Sequence, residues 1–313
     1  MERRGIRITG TGIRVPDRIV SNDELLGLSG GDSDWVVERL GIRERRYVDS
    51  SERTSDIATI AAFEALKDAK FEAKDIDLLI VATATPDMQA PATACMVQRN
   101  ICNRGAAAFD VSAVCCGFLY GLTTAAQYIS GGMYDSALVI GADTFSRVVD
   151  TSRKDSVFFG DGAGAVVLQA SWNSDAMYAA ELVSLGEGIE NFFIPSETRI
   201  FEMNPRGVFQ AAVSSVPQAI ERVLARANME ISDVDLVIPH QPSITLLKEI
   251  ARHIGIDFSK FVTNMDRYAN TAAGTIPIAL HEAVVSGRLK RGDAVLFAAA
   301  GAGMTAAASV LRW

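Results

Sequence analysis

Sulfur and imidazole are scarce in this chain. Its 313 residues hold four cysteines and three histidines. Cys95, Cys102, Cys115 and Cys116 are too few for a disulfide framework in so long a protein, and His240, His253 and His281 match no metal-ligand spacing, so no metal site is expected. Long apolar runs are missing too. The longest weakly polar stretch, Ala106 to Ala126, is broken by Asp110, Ser112, Gly117 and Gly121, which suits a buried strand and helix better than a membrane span of about 18 apolar residues. The chain enters a β-like alternation at Gly5-Ile6-Arg7-Ile8 without the roughly 7–15 residue apolar core of a secretory signal, and a cytoplasmic protein is expected. Excess positive charge is also absent. A net charge of −8 argues against non-specific nucleic-acid binding, although Arg43-Glu44-Arg45-Arg46 could form a local basic patch.

What is present is a large apolar inventory with internal symmetry. With 49% hydrophobic residues the chain can bury a sizeable core, and strand-like and helix-like segments alternate along it, which predicts the α/β class. Leu66, Ala69, Glu72, Asp75, Asp77 and Leu78 recur 158 positions later as Leu224, Ala227, Glu230, Asp233, Asp235 and Leu236. Ser130-Gly131 recurs as Ser286-Gly287, and Ala137-Leu138-Val139-Ile140 as Ala294-Val295-Leu296-Phe297, with small slips of register. A period this long is too great for a solenoid and indicates two copies of one α/β unit, divided here into residues 1–170 and 171–313.

One junction stands out chemically. Phe109-Asp110-Val111-Ser112-Ala113-Val114 reads as a strand that breaks at Cys115-Cys116-Gly117, after which Leu119, Leu122, Ala125, Ala126 and Ile129 follow helical spacing. A cysteine at a helix entrance faces unpaired N–H groups that favour thiolate, and its pKa can fall to roughly 3.5–7.5. The alternative is a small buried thiol filling a tight turn. At an offset of 156 positions, Val114 maps to Asn270 and Cys115 to Thr271, so Asn270 would lie near the cysteine's counterpart in the second copy. His240 ends the repeated strand Leu236-Val237-Ile238-Pro239, and α/β sheets gather ligands at such strand ends. His253 and His281 fall on amphipathic helices, where packing or solvated roles are expected.

Together, the cysteine segment, Pro239-His240-Gln241, Asn270-Thr271-Ala272-Ala273 and Phe159-Gly160-Asp161-Gly162-Ala163-Gly164 resemble the β-ketoacyl-acyl carrier protein synthase III family of thiolase-fold condensing enzymes, end to end. The resemblance implies a five-layered αβαβα fold, a homodimer, and a catalytic triad of Cys115, His240 and Asn270. It implies transfer of an acyl group from acyl-CoA to Cys115, followed by decarboxylative condensation with malonyl-acyl carrier protein, as in fatty acid initiation. Coenzyme A thioesters are the substrates and no separate cofactor is implied. Backbone N–H groups of Cys115 and Ala302 would form an oxyanion hole. Trp35 and Arg153 would sandwich the adenine, Arg39 would lie near the phosphates, and Phe209 would line the pantetheine tunnel. Cys116 is expected to be structural.

Departures from the family pattern bear on substrates. Ala90 stands where the family often has a bulky aromatic that reaches across the dimer, so a roomier or differently shaped acyl pocket is expected. Gln210 and Thr245 replace basic residues associated with carrier docking, for which Arg222 and Arg252 are the candidate substitutes. The alternative is therefore a tailoring condensing enzyme that uses a non-acetyl primer and malonyl-CoA or a specialised carrier. A hydroxymethylglutaryl-CoA synthase would need a glutamate before the cysteine, and none lies between Glu72 and Glu181; a thiolase would need a second cysteine in the C-terminal half, which has none.

Overall fold

The computed structural model describes residues 4–172 and 177–313. Two sheets stack with helices outside and between them. The first runs in the order Gly5–Arg14, Asp161–Ser171, Ser136–Thr144, Leu78–Ala82 and Ala107–Val111, the second in the order Tyr178–Ser184, Thr305–Arg312, Ala294–Gly301 and Leu236–Pro239. Thr54–Ala69 and Thr93–Asn100 cover the outer face of the first sheet, and Pro205–Ala227 with Ile244–Ile254 covers that of the second. Gly117–Ser130 and Thr275–Val285 fill the space between the sheets. The result is the five-layered αβαβα arrangement expected of a thiolase-like fold.

The two middle helices are apolar nearly all round because both faces meet a sheet. Strands such as Leu78–Ala82 and Ser136–Thr144 are buried along their whole length for the same reason, and read as continuous apolar runs. Among the described residues no helix is long and apolar enough to cross a membrane.

The internal repeat has a physical basis in the turns. Asp77 Oδ2 accepts the backbone N–H of Ser136 at 3.0 Å, and Asp235 Oδ2 accepts that of Ala294 at 2.8 Å, so each acidic turn fastens one strand start to its neighbour. Corresponding strands keep the same order in both sheets. The fifth strand of the first sheet, Ala107–Val111, has no full counterpart in the second, where a single bridge between Val237 and Phe261 takes its place.

The two helix entrances also correspond. Val114 has φ of 44° in the turn before Gly117–Ser130, and Ala272 has φ of 48° in the turn before Thr275–Val285. That match fixes the offset at 158 rather than 156. Cys115 therefore corresponds to Ala273, and Asn270 to Ser112, which corrects the pairing of Asn270 with Val114; the slip of two came from aligning on Ser-Gly turns at the far helix ends.

Candidate active site

The turn Val114–Cys116 places Cys115 at the mouth of the middle helix, buried beneath the join between the halves. Gly301 closes in from the second sheet: a side chain there would sit 2.9 Å from the Ala113 carbonyl. Left-handed φ in the Gly301-Ala302-Gly303 turn falls on Gly303, at 116°, and not on Ala302, so alanine is accommodated where the family resemblance places the second oxyanion donor.

Asn270 is carried in by a segment seated on the glycine-rich run. Its N–H donates to the Phe158 carbonyl and its carbonyl accepts from Gly160 N–H, both at 3.0 Å. Gly160 is required by this seat, because a Cβ there would lie 2.4 Å from the Tyr268 carbonyl oxygen. Asn270 Oδ1 accepts from the Ala272 N–H at 2.9 Å, which fixes the amide orientation and leaves Nδ2 directed at Cys115 Sγ, 3.9 Å away.

Behind this loop stands Asp143, which the sequence reading did not single out. Its Oδ1 accepts from Thr83, Ala84 and Thr85 of the first half, and its Oδ2 accepts the Ala273 N–H of the second at 3.0 Å. Burial raises its carboxyl to about 6, with these donors pulling the other way.

His240 follows its strand with its N–H donating to Ala298 O at 2.8 Å. Among the described residues Nε2 is buried without a partner. Burial lowers the imidazole to about 4, opposed by the adjacent Asn270 amide, so at neutral pH the ring is uncharged. Cys115 departs from expectation. Burial, with Cys116 and Asp143 beside it, pushes its thiol up, opposed by the Asn270 amide and the Cys115 N–H.

A cavity of about 470 Å³ joins these groups to the surface. Cys115, His240, Asn270 and Ala302 line its inner end, and Trp35, Arg39 and Phe209 line it nearer the exposed surface. Two expected contacts lie elsewhere. Arg153 does not line the cavity; its guanidinium is held by Asp155 at 2.6 and 3.1 Å and donates to the Phe201 carbonyl at 3.0 Å. Ala90 is exposed and away from the cavity, and the wall that this chain itself supplies beside Cys115 is aromatic. Arg222 and Arg252 each face a carboxylate, Glu181 and Glu249 respectively. His281 bonds Thr11 at 2.9 Å and His253 is exposed, as their helical positions suggested.

The aromatic wall, Phe145, Phe159, Phe192 and Phe201, escaped sequence reasoning. The available signal was the clustering of phenylalanine at Phe158-Phe159 and Phe192-Phe193 in a chain with only 7% aromatics.

Comparison with known proteins agrees on one group. The family model for 3-oxoacyl-[acyl-carrier-protein] synthase III matches residues 109–186, and that for its C-terminal part matches 224–313. β-Ketoacyl-[acyl-carrier-protein] synthase III of Clostridium tetani is 38% identical over the full length of both chains, and that of Paramagnetospirillum magneticum is 42% identical over 98% of each. The crystal structure of 3-oxoacyl-[acyl-carrier-protein] synthase III from Aquifex aeolicus superimposes with a TM-score of 0.96 at 38% identity, covering 99% of this chain and 100% of that one. The corresponding Pseudomonas aeruginosa structure gives 0.94 at 34%, covering 99% and 98%.

Proposed function

Because the chain belongs to the β-ketoacyl-[acyl-carrier-protein] synthase III family, we propose that it transfers an acyl group from acyl-CoA to Cys115 and condenses it with a malonyl thioester, the reaction that initiates fatty acid synthesis. The observation that carries this reading is the meeting of Cys115, His240 and Asn270 from two halves of the chain at the inner end of one cavity.

In the first step Cys115 Sγ bonds the acyl carbon and the bond to coenzyme A sulfur breaks. One thioester replaces another, so the exchange is near thermoneutral, and the thiol proton ends on the departing coenzyme A. Loss of carbon dioxide from the malonyl group then sends an electron pair toward the thioester oxygen. His240 Nε2, unpaired in the buried site, and the Asn270 amide are the donors for that enolate oxygen; each is worth about 2.7–4 kcal/mol of barrier. A neutral imidazole suits the task, since it donates a hydrogen bond without adding charge to a buried pocket. The enolate carbon attacks the acyl-Cys115 carbonyl, whose oxyanion rests on the Cys115 and Ala302 N–H groups. Collapse expels the Cys115 sulfur, which regains a proton.

Trp35, Arg39 and Phe209 are the coenzyme A contacts favoured by their place on the cavity. No cofactor beyond the thioester substrates takes part in this scheme. The division at residues 170 and 171 is supported by the way strands segregate between the two sheets, and a homodimer by the edge position of the apolar strand Ala107–Val111. In that assembly Ala90 would meet the neighbouring copy's site, and the enzyme would work in the cytoplasm.

A second reading, a tailoring enzyme extending with malonyl-CoA, draws on Gln210 and Thr245; the Thr245 hydroxyl bonds the Arg39 carbonyl at 2.7 Å at the cavity. Intact-protein mass after incubation with an acyl-CoA, followed by product analysis with malonyl-acyl carrier protein and malonyl-CoA in parallel, tests both. Acylation of Cys115 and turnover with the carrier thioester are expected. Absence of any acyl adduct would overturn the proposal, and faster turnover with malonyl-CoA would favour the second reading.

A further inference from the structure

The residue just before Asn270 is held in a conformation that alanine avoids. Ala269 has φ of 54° and ψ of −150°, a region that glycine alone enters freely, and its methyl is buried. Such a backbone persists only where its surroundings over-determine it. Here both sides are fastened. Ahead of the reversal, the Ala269 N–H donates to the Met265 carbonyl at 2.9 Å and ends the short helix Met265–Tyr268. Beyond it, the Phe158 carbonyl and the Gly160 N–H grip the backbone of Asn270.

The upstream fastening converges on one carboxylate. Glu282, on the middle helix Thr275–Val285, accepts from both terminal nitrogens of Arg267 at 2.8 and 2.9 Å, from the Tyr268 hydroxyl at 3.0 Å and from Asn264 Nδ2 at 3.0 Å. Arg267 and Tyr268 also hold each other, through a 2.8 Å hydrogen bond and with the guanidinium 4.6 Å over the ring. A bidentate guanidinium fixes direction as well as distance. The Asn264 N–H is tied at 3.2 Å to Oε1 of Gln241, the buried neighbour of His240. These donors to Glu282 all come from the segment 264–268 that runs into Ala269 and Asn270. Glu282 itself does not line the cavity.

We propose that Glu282 is a positioning residue for the condensation step, holding Arg267 and Tyr268 so that Ala269 keeps its left-handed backbone and Asn270 Nδ2 stays aimed at the reacting groups. The inference rests on the reading of Asn270 as a donor to the enolate oxygen. Cys115 stands on its own turn in the other half, so acylation does not pass through this clamp. A misplacement of about 1 Å at a reacting group can cost as much as 10²-fold, and a loosened clamp costs part of that.

The test follows acylation by acetyl-CoA and discharge by malonyl-acyl carrier protein as separate single turnovers. It uses the full-length chain as wild type, Glu282→Gln, Tyr268→Phe, Ala269→Gly and the double variant Glu282→Gln/Ala269→Gly. Glu282→Gln puts a donor where an oxygen accepted, and should slow discharge by about tenfold, with acylation and KM for the malonyl thioester within about twofold of wild type. Tyr268→Phe removes one hydroxyl and keeps the ring; it should slow discharge by roughly a factor of three and serves as the test if Glu282→Gln does not fold. Glycine adopts the Ala269 backbone without the clamp. Ala269→Gly should therefore speed discharge at least about threefold in the Glu282→Gln background, while changing wild type by less than about twofold. Unchanged discharge in Glu282→Gln, or in Tyr268→Phe where only that variant folds, would overturn the positioning role. Equal slowing of acylation and discharge would overturn it too, and no recovery in the double variant would overturn the route through Ala269. Failure of acetyl-CoA to label the wild type would instead overturn the acyl-transfer reading itself.

Discussion

The two halves use the same backbone device for different work. Each enters its buried middle helix through a turn with one left-handed residue, Val114 or Ala272, the first led in by the strand Ala107–Val111 and the second by the short helix Met265–Tyr268. In the first half the next residue is Cys115, with its thiol facing the cavity. In the second it is Ala273, whose N–H is given to Asp143 of the first half. One entrance is kept for chemistry, and the other locks the halves together, placing Asn270 just ahead of the lock. A duplicated fold therefore makes an asymmetric site by changing which group the helix entrance serves.

Removing the nucleophile should break this contrast most completely. Cys115→Ala is expected to abolish acyl transfer, a loss of about 10⁴-fold or more in condensation with the fold retained, measured by turnover and circular dichroism. Next in size are the oxygen donors: His240→Ala or Asn270→Ala should each lower condensation by about 10²–10³-fold while sparing acylation, as read by single-turnover kinetics on each step. The lock comes third. Asp143→Ala leaves the Ala273 N–H and the Thr83–Thr85 donors without their acceptor, and is expected to cost about 3–5 kcal/mol in urea unfolding, with activity falling as Asn270 shifts.

The smallest effect sharpens the assignment of His240. The ring is already neutral above about 4, so the fall in condensation by pre-acylated enzyme that depends on His240 should come near 4, below a separate fall near 6 as the Asp143 carboxylate takes a proton and loosens its hold on the Ala273 N–H. Acylation should instead climb with rising pH through neutrality, because burial keeps Cys115 protonated there. Stopped-flow measurement of each step across pH checks both slopes.

Much of the fold was legible because its periodicities are strong. Leu78–Ala82 reads as a buried strand since both faces are covered, and the recurring Asp77 and Asp235 turns do the same bonding work in each copy. Cys115 and His240 were singled out by a helix entrance and a strand end, whereas Asn270 was reached through an offset two residues out and owed its place to the family resemblance. The aromatic wall was not, since Phe145, Phe159, Phe192 and Phe201 come from four separate segments and only tertiary packing unites them. The thiol pKa was misjudged because the helix entrance was weighed without the burial around it.

The most direct measurement is time-resolved intact-protein mass on wild type, Cys115→Ala and Asn270→Ala, with acetyl-CoA added first and malonyl-acyl carrier protein second. The account predicts a single acetyl adduct on wild type and on Asn270→Ala, none on Cys115→Ala, rapid discharge of the wild-type adduct by the malonyl thioester, and discharge about 10²–10³-fold slower in Asn270→Ala. An adduct on Cys115→Ala, or equal discharge from wild type and Asn270→Ala, would contradict it.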